Sequence, residues 1–314
     1  MRQTITRPSV EGSLAVREGR RLSYAEYGDS KGPALIWMHG TPGARRQIPL
    51  SVRALADERG LRVIGLDRPG VGTSTPHLYP EILDWAGDLE ILADRLGIGE
   101  FRLIGLSGGG PYALAGGAAL PERVLDVGVL GGVAPTVGTD AAPGGPIQLA
   151  VRMAPVLNVA RRPAGFALSR AVRLVKPLAG GVLDLYAAFQ PIGDKELLAQ
   201  PEFKAMFLDD LLHGARYRFN APLADLVLFS RYWGFDLADV TTPVHWWHGD
   251  SDHIVPVAHG RHCSERLPSV AFEVVVGQSH LGGLGIAAEV VTRMMQLEAP
   301  ARGEAMTGRH TGNQ

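Results

Sequence analysis

The sequence predicts an α/β fold in which a mostly parallel sheet of eight strands is flanked by helices. Continuous apolar runs, such as residues 34–38 and 101–106, are typical of strands buried on both faces. Segments with helical spacing of apolar residues, such as 81–96, separate these runs. Loops rich in Gly, Pro and His follow the strands, as expected when ligands bind at the carboxyl edge of a parallel sheet.

The elements can be assigned in chain order. We expect strands at residues 13–16, 22–27, 34–38, 61–66, 101–106, 124–130, 244–248 and 271–276. The first two form a hairpin around the turn at 17–20. We expect helices at 52–59, 81–96, from Pro111 onward, and at 222–233, 257–267 and 284–297.

The alternation of strands and helices stops after residue 133. From 134 to about 221 the sequence indicates irregular helices punctuated by prolines, with no clear strand. We therefore expect residues 10–133 and 222–298 to form one core, interrupted by a helical insertion at 134–221. The small, polar residues 299–314 are expected to be a disordered tail.

Composition excludes several classes of protein. With 46% hydrophobic and 20% charged residues the chain is globular, and a net charge of −1 gives no general attraction to nucleic acid. The single Cys263 cannot form an internal disulfide, which fits a reducing compartment. The sequence shows neither a signal peptide nor a run of about 20 apolar residues. We expect a cytoplasmic protein without a transmembrane segment and without a nucleic-acid partner; the oligomeric state stays open.

Ser107 lies in a sharp turn between an apolar strand and a helix. Gly105 and Gly109 complete the pattern G-x-S-x-G, and Pro111 fits the first helical turn. One interpretation is a nucleophilic serine. The other is a glycine-rich turn that cradles phosphate or packs tightly, although the run lacks the lysine of a P-loop and does not match G-x-G-x-x-G.

Two further groups follow strands and complete a catalytic set with Ser107. His280 can accept the serine proton, and Asp252 can orient and stabilise the imidazole. The order serine, acid, histidine is that of α/β-hydrolases. Asp250 is the rival acid, and the rival histidines are His253, His259 and His262.

Backbone N–H groups of Thr41 and Gly108 are our candidates for an oxyanion hole, because Thr41 follows the third strand and Gly108 follows the nucleophile. His259 and His262 are one helical turn apart, but the sequence offers no third ligand beside them. We expect no metal and no cofactor.

Five motifs occur in a recognisable order: His39-Gly40-x-Pro42, Asp67-Arg68-Pro69-Gly70-x-Gly72-x-Ser74, Gly105-x-Ser107-x-Gly109, Gly249-x-x-Asp252-x-x-Val255-Pro256 and the turn at His280. In these motifs, within residues 10–298, the chain resembles α/β-hydrolases of the capped type that includes epoxide hydrolases, haloalkane dehalogenases and proline iminopeptidases. Epoxide hydrolases and dehalogenases carry an aspartate where Ser107 stands, so their chemistry is disfavoured. Ser279 replaces the glycine that usually precedes the histidine.

The resemblance implies a serine hydrolase that cleaves a small or medium carboxylic ester through an acyl-enzyme, with the insertion at 134–221 as a cap over the site. An aminopeptidase similar to proline iminopeptidase is the alternative, and it would need a cap acid to bind the substrate's amine. Asp194, Glu196, Glu202, Asp209 and Asp210 are the candidates. A non-catalytic ligand-binding module with this fold is a further alternative.

The insertion also carries an unusual charge pattern. Residues 141–183 contain no acidic residue but six basic ones: Arg152, Arg161, Arg162, Arg170, Arg173 and Lys176. The favoured interpretation is the solvent-facing side of a cap helix. The alternative is a basic amphipathic lid that contacts anionic lipid or an acidic substrate.

Overall fold

The computed structural model describes residues 6–144, 147–175, 178–214 and 221–296, so the tail predicted at 299–314 lies outside the described residues. Those residues contain one sheet of eight strands: β1 Val10–Ala15, β2 Arg21–Gly28, β3 Ala34–Met38, β4 Arg62–Asp67, β5 Phe101–Leu106, β6 Val124–Leu130, β7 Val244–Gly249 and β8 Val270–Val275. Their order across the sheet is β1-β2-β4-β3-β5-β6-β7-β8. The predicted eight-stranded sheet is confirmed.

Across the sheet, the strands β4, β3, β5, β6, β7 and β8 are parallel. Strand β2 pairs with both β1 and β4 in antiparallel register. The carboxyl ends of β3, β5, β7 and β8 therefore lie along the same edge of the sheet. This arrangement brings together the loops that follow these strands, which carry the candidate site residues.

The described residues form the helices α1 Leu50–Arg59, α2 Trp85–Arg95, α3 Gly110–Ala119, α4 Ile147–Val175, α5 Ala179–Ala188, α6 Ile192–Ala199, α7 Pro201–Gly214, α8 Ala221–Phe229, α9 Val257–Ser264, α10 Gly282–Gly285 and α11 Ala287–Gln296. The helix predicted at 222–233 ends early, at Phe229. In place of a further helical hydrogen bond, the Phe229 carbonyl accepts one from the Thr136 hydroxyl (2.5 Å).

Two hydrophobic clusters cover the two faces of the sheet. Ile36 on β3 packs in the cluster that contains α2 and α3, whereas the next residue, Trp37, packs in the cluster that contains α1 and α11. This alternation follows from the period of two in a strand. Both faces are covered, as the apolar runs in the sequence predict.

Helices α4 to α7 lie between β6 and β7 in the chain. Helix α4 packs on α8, α5 and α7 pack on each other, α6 packs on α10, and α7 contacts α1. The absence of strands predicted for 134–221 holds for the residues described there. None of the described helices is both long and apolar enough to span a bilayer.

Gly65 in β4 tests how tightly the loop after β3 packs on the sheet. A Cβ atom at Gly65 would lie 2.0 Å from the Arg45 carbonyl oxygen, whereas one at Gly99 would meet nothing within 4 Å. We expect Gly65→Ala to lower the free energy of unfolding by about 3 kcal/mol, the upper range for overpacking. Gly99→Ala should change it by less than about 1 kcal/mol. Chemical denaturation of both variants would measure this, and equal midpoints would contradict it.

Candidate active site

The turn that carries Ser107 is held in a strained conformation by close packing. Ser107 has φ of +50°, a left-handed value that a serine adopts only where the surroundings enforce it. A Cβ atom at Gly105 would lie 2.5 Å from the Gly109 carbonyl oxygen, and one at Gly109 would lie 2.3 Å from the Met38 carbonyl oxygen. The two glycines of the motif therefore let the turn approach itself and the end of β3.

Ser107, His280 and Asp252 form a continuous hydrogen-bonded chain. The Oγ atom of Ser107 is 2.9 Å from Nε2 of His280, and Nδ1 of His280 is 2.8 Å from Oδ2 of Asp252. The structure thus brings together the three side chains that the sequence singles out. Because Asp252 accepts the Nδ1–H, Nε2 of neutral His280 is free to accept a proton from Ser107.

Asp252 and Asp250 have different partners. The Oδ1 atom of Asp252 accepts the N–H groups of Ile254 (2.9 Å) and Val255 (2.8 Å). Burial acts to raise the pKa of Asp252, but hydrogen bonds from His248, His280 and the Val255 N–H hold it well below its usual range. Asp250 is exposed and instead accepts the Gly277 N–H (2.9 Å). Asp252 is therefore the acid that contacts His280.

His248 is a site residue that the sequence analysis does not identify. It is buried beside Asp252, with its Nε2 atom 3.5 Å from Oδ2 of Asp252 and 2.8 Å from the Val255 carbonyl oxygen. Its Nδ1 atom accepts the Trp246 indole N–H (3.2 Å), so the proton lies on Nε2. Through its contact with the Val255 carbonyl, His248 thereby fixes the loop that carries Asp252.

The turn before His280 is joined to α6. The Oδ1 atom of Asp194 accepts the Leu281 N–H (2.9 Å), and its Oδ2 atom is buried without a hydrogen-bond partner. Burial raises the pKa of Asp194, and the nearby Ser279 side chain and the Leu281 N–H partly oppose the rise. Ser279, the departure from the usual glycine, therefore lies beside a carboxylate of the insertion.

The turn after β3 contains His39, Gly40 and Thr41. Burial, and then the charge of Arg68, hold the pKa of His39 well below its usual range. The neutral ring bridges the Gly40 carbonyl (2.7 Å) and the Arg68 N–H (3.3 Å). The two hydrogen bonds of His39 thus hold the turn after β3 in place.

Thr41 and Gly108, the candidate oxyanion donors, are adjacent in space. A Cβ atom at Gly108 would lie 2.3 Å from Oγ1 of Thr41. The turn after β3 and the turn after β5 therefore meet beside Ser107. This is the geometry in which two backbone N–H groups can converge on one oxygen atom.

Asp225, a buried carboxylate on α8, holds the turn after β3 that carries Thr41, which we call the oxyanion turn. Its Oδ2 atom accepts hydrogen bonds from the Thr41 hydroxyl (2.6 Å) and from Nη2 of Arg68 (2.6 Å), and its Oδ1 atom accepts the Tyr112 hydroxyl (2.7 Å). Arg68 also donates to the carbonyls of His39 and Gly40. Arg68 thus locks the turn after β3 together with Asp225, a partner that no local sequence pattern reveals.

Two of the rival histidines, His259 and His262, hydrogen-bond to backbone carbonyls and not to Ser107 or Asp252. Nε2 of His259 is 3.3 Å from the Gly144 carbonyl oxygen, and Nε2 of His262 is 2.9 Å from the Asp140 carbonyl oxygen. Within the described ranges, no group of three or more His, Cys, Asp or Glu side chains could hold a metal ion. These two histidines hold the 140–144 loop.

Residues 33–284 match a family model described as the alpha/beta hydrolase fold. A proline iminopeptidase from Neisseria meningitidis is 32% identical over 123 residues, which are 38% of this chain and 39% of that protein. One from Xylella fastidiosa is 32% identical over 129 residues, 40% of each chain. This chain therefore matches only about two fifths of the length of these curated relatives.

Solved structures cover the chain more fully. An esterase from Rhodococcus sp. ECU1013 has a TM-score of 0.66 and 23% identity, covering 92% of this chain and 99% of that one. The enol-lactonase from Burkholderia xenovorans LB400 has a TM-score of 0.65 and 19% identity, covering 90% and 99%. At these identities the likeness supports the fold alone.

Asp225→Asn tests the charge balance of the oxyanion turn. Asparagine keeps the shape of the side chain but leaves Arg68 buried without its counter-ion, and breaking such a pair typically costs about 3–5 kcal/mol. Asp209→Asn is the matched control, because Asp209 is 40% exposed and pairs with Arg46 at 3.1 Å. It should cost less than about 1 kcal/mol. Chemical denaturation measures both, and an equal loss in the two variants would refute a special role for Asp225.

Proposed function

The chain belongs to the α/β-hydrolase fold family, and we propose that it is a serine hydrolase that cleaves a small or medium carboxylic ester through an acyl-enzyme intermediate. The observation that carries this proposal is the unbroken chain from Ser107 Oγ to His280 (2.9 Å) and from His280 to Asp252 (2.8 Å). A strained serine whose hydroxyl meets a base is the arrangement that nucleophilic catalysis needs.

Acylation follows from these contacts. His280 Nε2 takes the Ser107 proton as Oγ attacks the ester carbonyl, and Asp252 stabilises the imidazolium that forms. The tetrahedral oxyanion is held by the N–H groups of Thr41 and Gly108. His280 then gives its proton to the leaving alcohol, which departs and leaves the acyl group on Ser107.

Deacylation repeats the sequence with water. His280 takes a proton from a water molecule, whose oxygen attacks the acyl carbon at the same oxyanion position. Collapse of this intermediate returns the proton to Ser107 Oγ and releases the carboxylic acid. No metal or organic cofactor is required by these steps.

We also propose that the insertion at 134–221 is a cap on a core formed by 10–133 and 222–298. Two contacts support this. Asp194 on α6 accepts the Leu281 N–H (2.9 Å) of the histidine turn, and Asp210 on α7 accepts the Ala44 N–H (2.9 Å). Each of these joins a helix of the insertion to a loop at the carboxyl edge of the sheet.

An aminopeptidase resembling proline iminopeptidase is the second candidate, favoured by the relatives of that name. Such an enzyme needs an acid that can bind a substrate ammonium group. Both oxygens of Asp210 accept backbone N–H groups, and Asp225 is occupied by Arg68, Thr41 and Tyr112, so a substrate amine would have to displace these donors. Asp194 accepts the Leu281 N–H through Oδ1, whereas its Oδ2 atom is buried without a hydrogen-bond partner. The aminopeptidase candidate therefore rests on Asp194.

Of the other candidate acids of α6 and α7, Asp209 pairs with Arg46 (3.1 Å), and Glu196 and Glu202 lie elsewhere. They line a cleft of about 420 Å³ between these helices and the residues around Leu50 and Ile286. The residues lining this cleft do not include Ser107 or His280. These two glutamates are therefore poorly placed to bind the amine of a substrate at Ser107.

The triad is tested by replacing its members one at a time. We expect Ser107→Ala and His280→Ala each to lower kcat on the order of 10⁴-fold or more, with the double variant little worse, because the residues act as a unit. Asp252→Asn should be strongly impaired, whereas the matched control Asp250→Asn should stay within about threefold of wild type, since Asp250 does not touch His280. Hydrolysis of p-nitrophenyl acetate measures kcat.

Covalent labelling gives an independent readout of the same proposal. A fluorophosphonate probe should label the wild type and should fail to label Ser107→Ala. A wild type that remains unlabelled would favour a non-catalytic ligand-binding module. A sensitive Asp250 would instead show that the acid is wrongly assigned.

Substrate class is tested by comparing two leaving groups. We expect p-nitrophenyl esters to be cleaved with kcat/KM at least about 100-fold above that for proline p-nitroanilide, because two of the acids that could bind the proline amine, Asp210 and Asp225, are occupied by the protein itself. A series of acyl chain lengths would then define the pocket. Preference for the anilide, with loss on replacing Asp194 or Asp225, would reverse the assignment.

A further inference from the structure

Helix α4 exposes large apolar side chains in a regular series. Val156, Val159, Phe166 and Leu174 are 57, 83, 58 and 80% exposed. Spacings of three or four residues place side chains on one helix face. Adding the exposed Arg152, Pro163 and Arg170 completes a series that we call the α4 stripe: Arg152, Val156, Val159, Pro163, Phe166, Arg170 and Leu174.

A second series runs through α5. It comprises Leu178, Val182, Leu185, Phe189 and Ile192, which are 69, 51, 63, 80 and 74% exposed, and we call it the α5 stripe. The solvent-facing side of a cap helix, the interpretation favoured from sequence, should be polar. The outward residues of α4 and α5 are instead largely apolar, which that interpretation does not explain.

The charge of α4 has one sign, whereas α5 carries one acid, Asp184, which is paired with Lys204. Residues 141–183 contain six basic residues and no acidic one. Within the α4 stripe the guanidinium of Arg170 lies over the Phe166 ring, 4.8 Å from its centroid. Lys176 lies outside the described residues. A helix that combines an exposed apolar series with only basic charges matches the pattern of helices that lie in a membrane interface.

We propose that the α4 and α5 stripes form a docking surface for an anionic lipid bilayer. The apolar side chains enter the acyl boundary, and the arginines pair with lipid phosphates. A second copy of the chain fits this surface poorly. In a two-fold dimer the patch meets itself, which would set basic residues against basic residues, and the one acid of the two helices, Asp184, is already paired with Lys204.

Helix α5 packs on α6, and Asp194 of α6 accepts the Leu281 N–H beside His280. The α5 stripe therefore belongs to a helix that adjoins the one holding the histidine turn. The docking proposal itself does not depend on the proposed reaction, since vesicle binding is measured without turnover.

Co-sedimentation with vesicles tests the proposal on the full chain. We expect binding to phosphatidylcholine vesicles that contain phosphatidylglycerol, weaker binding to phosphatidylcholine alone, and release from the anionic vesicles at high salt. Val159→Ser should weaken binding by about tenfold. Val276→Ser is the matched control, because Val276 is equally exposed (82%) but lies after β8, and it should change binding less than twofold.

A second pair of variants tests how much the positive charge contributes to vesicle binding. Arg170→Gln should weaken binding by about fivefold. Arg261→Gln is its control, because Arg261 is also exposed and also lies over a ring, that of Phe272 at 5.8 Å, but on α9; it should leave binding unchanged. Unchanged midpoints of chemical denaturation would show that the variants fold.

Three results would overturn the proposal. These are no binding to the anionic vesicles at low salt, equal binding to both vesicle types, and equal losses in the cap variants and their controls. Light scattering provides a fourth. A concentration-dependent dimer that Val159→Ser abolishes would assign the surface to self-association instead of lipid.

Discussion

The geometry of the candidate site depends on one buried ion pair, between Asp225 and Arg68. The two side chains are 5% and 1% exposed, so neither charge has water to stabilise it, and each needs the other. Arg68 also donates to the carbonyls of His39 and Gly40, and Asp225 also accepts the hydroxyls of Thr41 and Tyr112. The pair therefore links α8 and α3 to the turn that carries Thr41, the proposed oxyanion donor.

Buried aspartates also hold the other loops of the site. Asp210 accepts the N–H groups of Ala44 and Arg46, and Asp194 accepts the Leu281 N–H beside His280. Three successive helices, α6, α7 and α8, thus each place one buried aspartate on a loop at the carboxyl edge of the sheet. A displacement of these helices would leave the carboxylates without donors, which is costly for buried charges. The positions of the insertion helices α6 and α7, and of α8 that follows them, are therefore coupled to the geometry of the site.

Much of this architecture could be predicted from the sequence, because the apolar runs fix the strands and parallel strands bring their carboxyl ends to one edge. Ser107, Asp252 and His280 each follow a strand, so their meeting follows from topology. The contacts of Asp225 could not be predicted, since Thr41 and Arg68 are 184 and 157 residues away and no local pattern pairs them. His248 was missed because it lies within a strand. The apolar stripes were missed because periodicity predicts a helix face but not whether that face is covered.

The pairing of Asp225 also matters for the proposed chemistry. Its Oδ2 atom is 2.6 Å from the Thr41 hydroxyl, so an unbalanced carboxylate there would stand close to the position where negative charge develops in the transition state. In a medium of low dielectric such a charge would oppose the oxyanion. Arg68, 2.6 Å from the same oxygen, cancels that field. The arginine of the loop after β4 is thus needed both to shape the oxyanion turn and to make a carboxylate tolerable beside it, which explains why the turn can be built around Asp225.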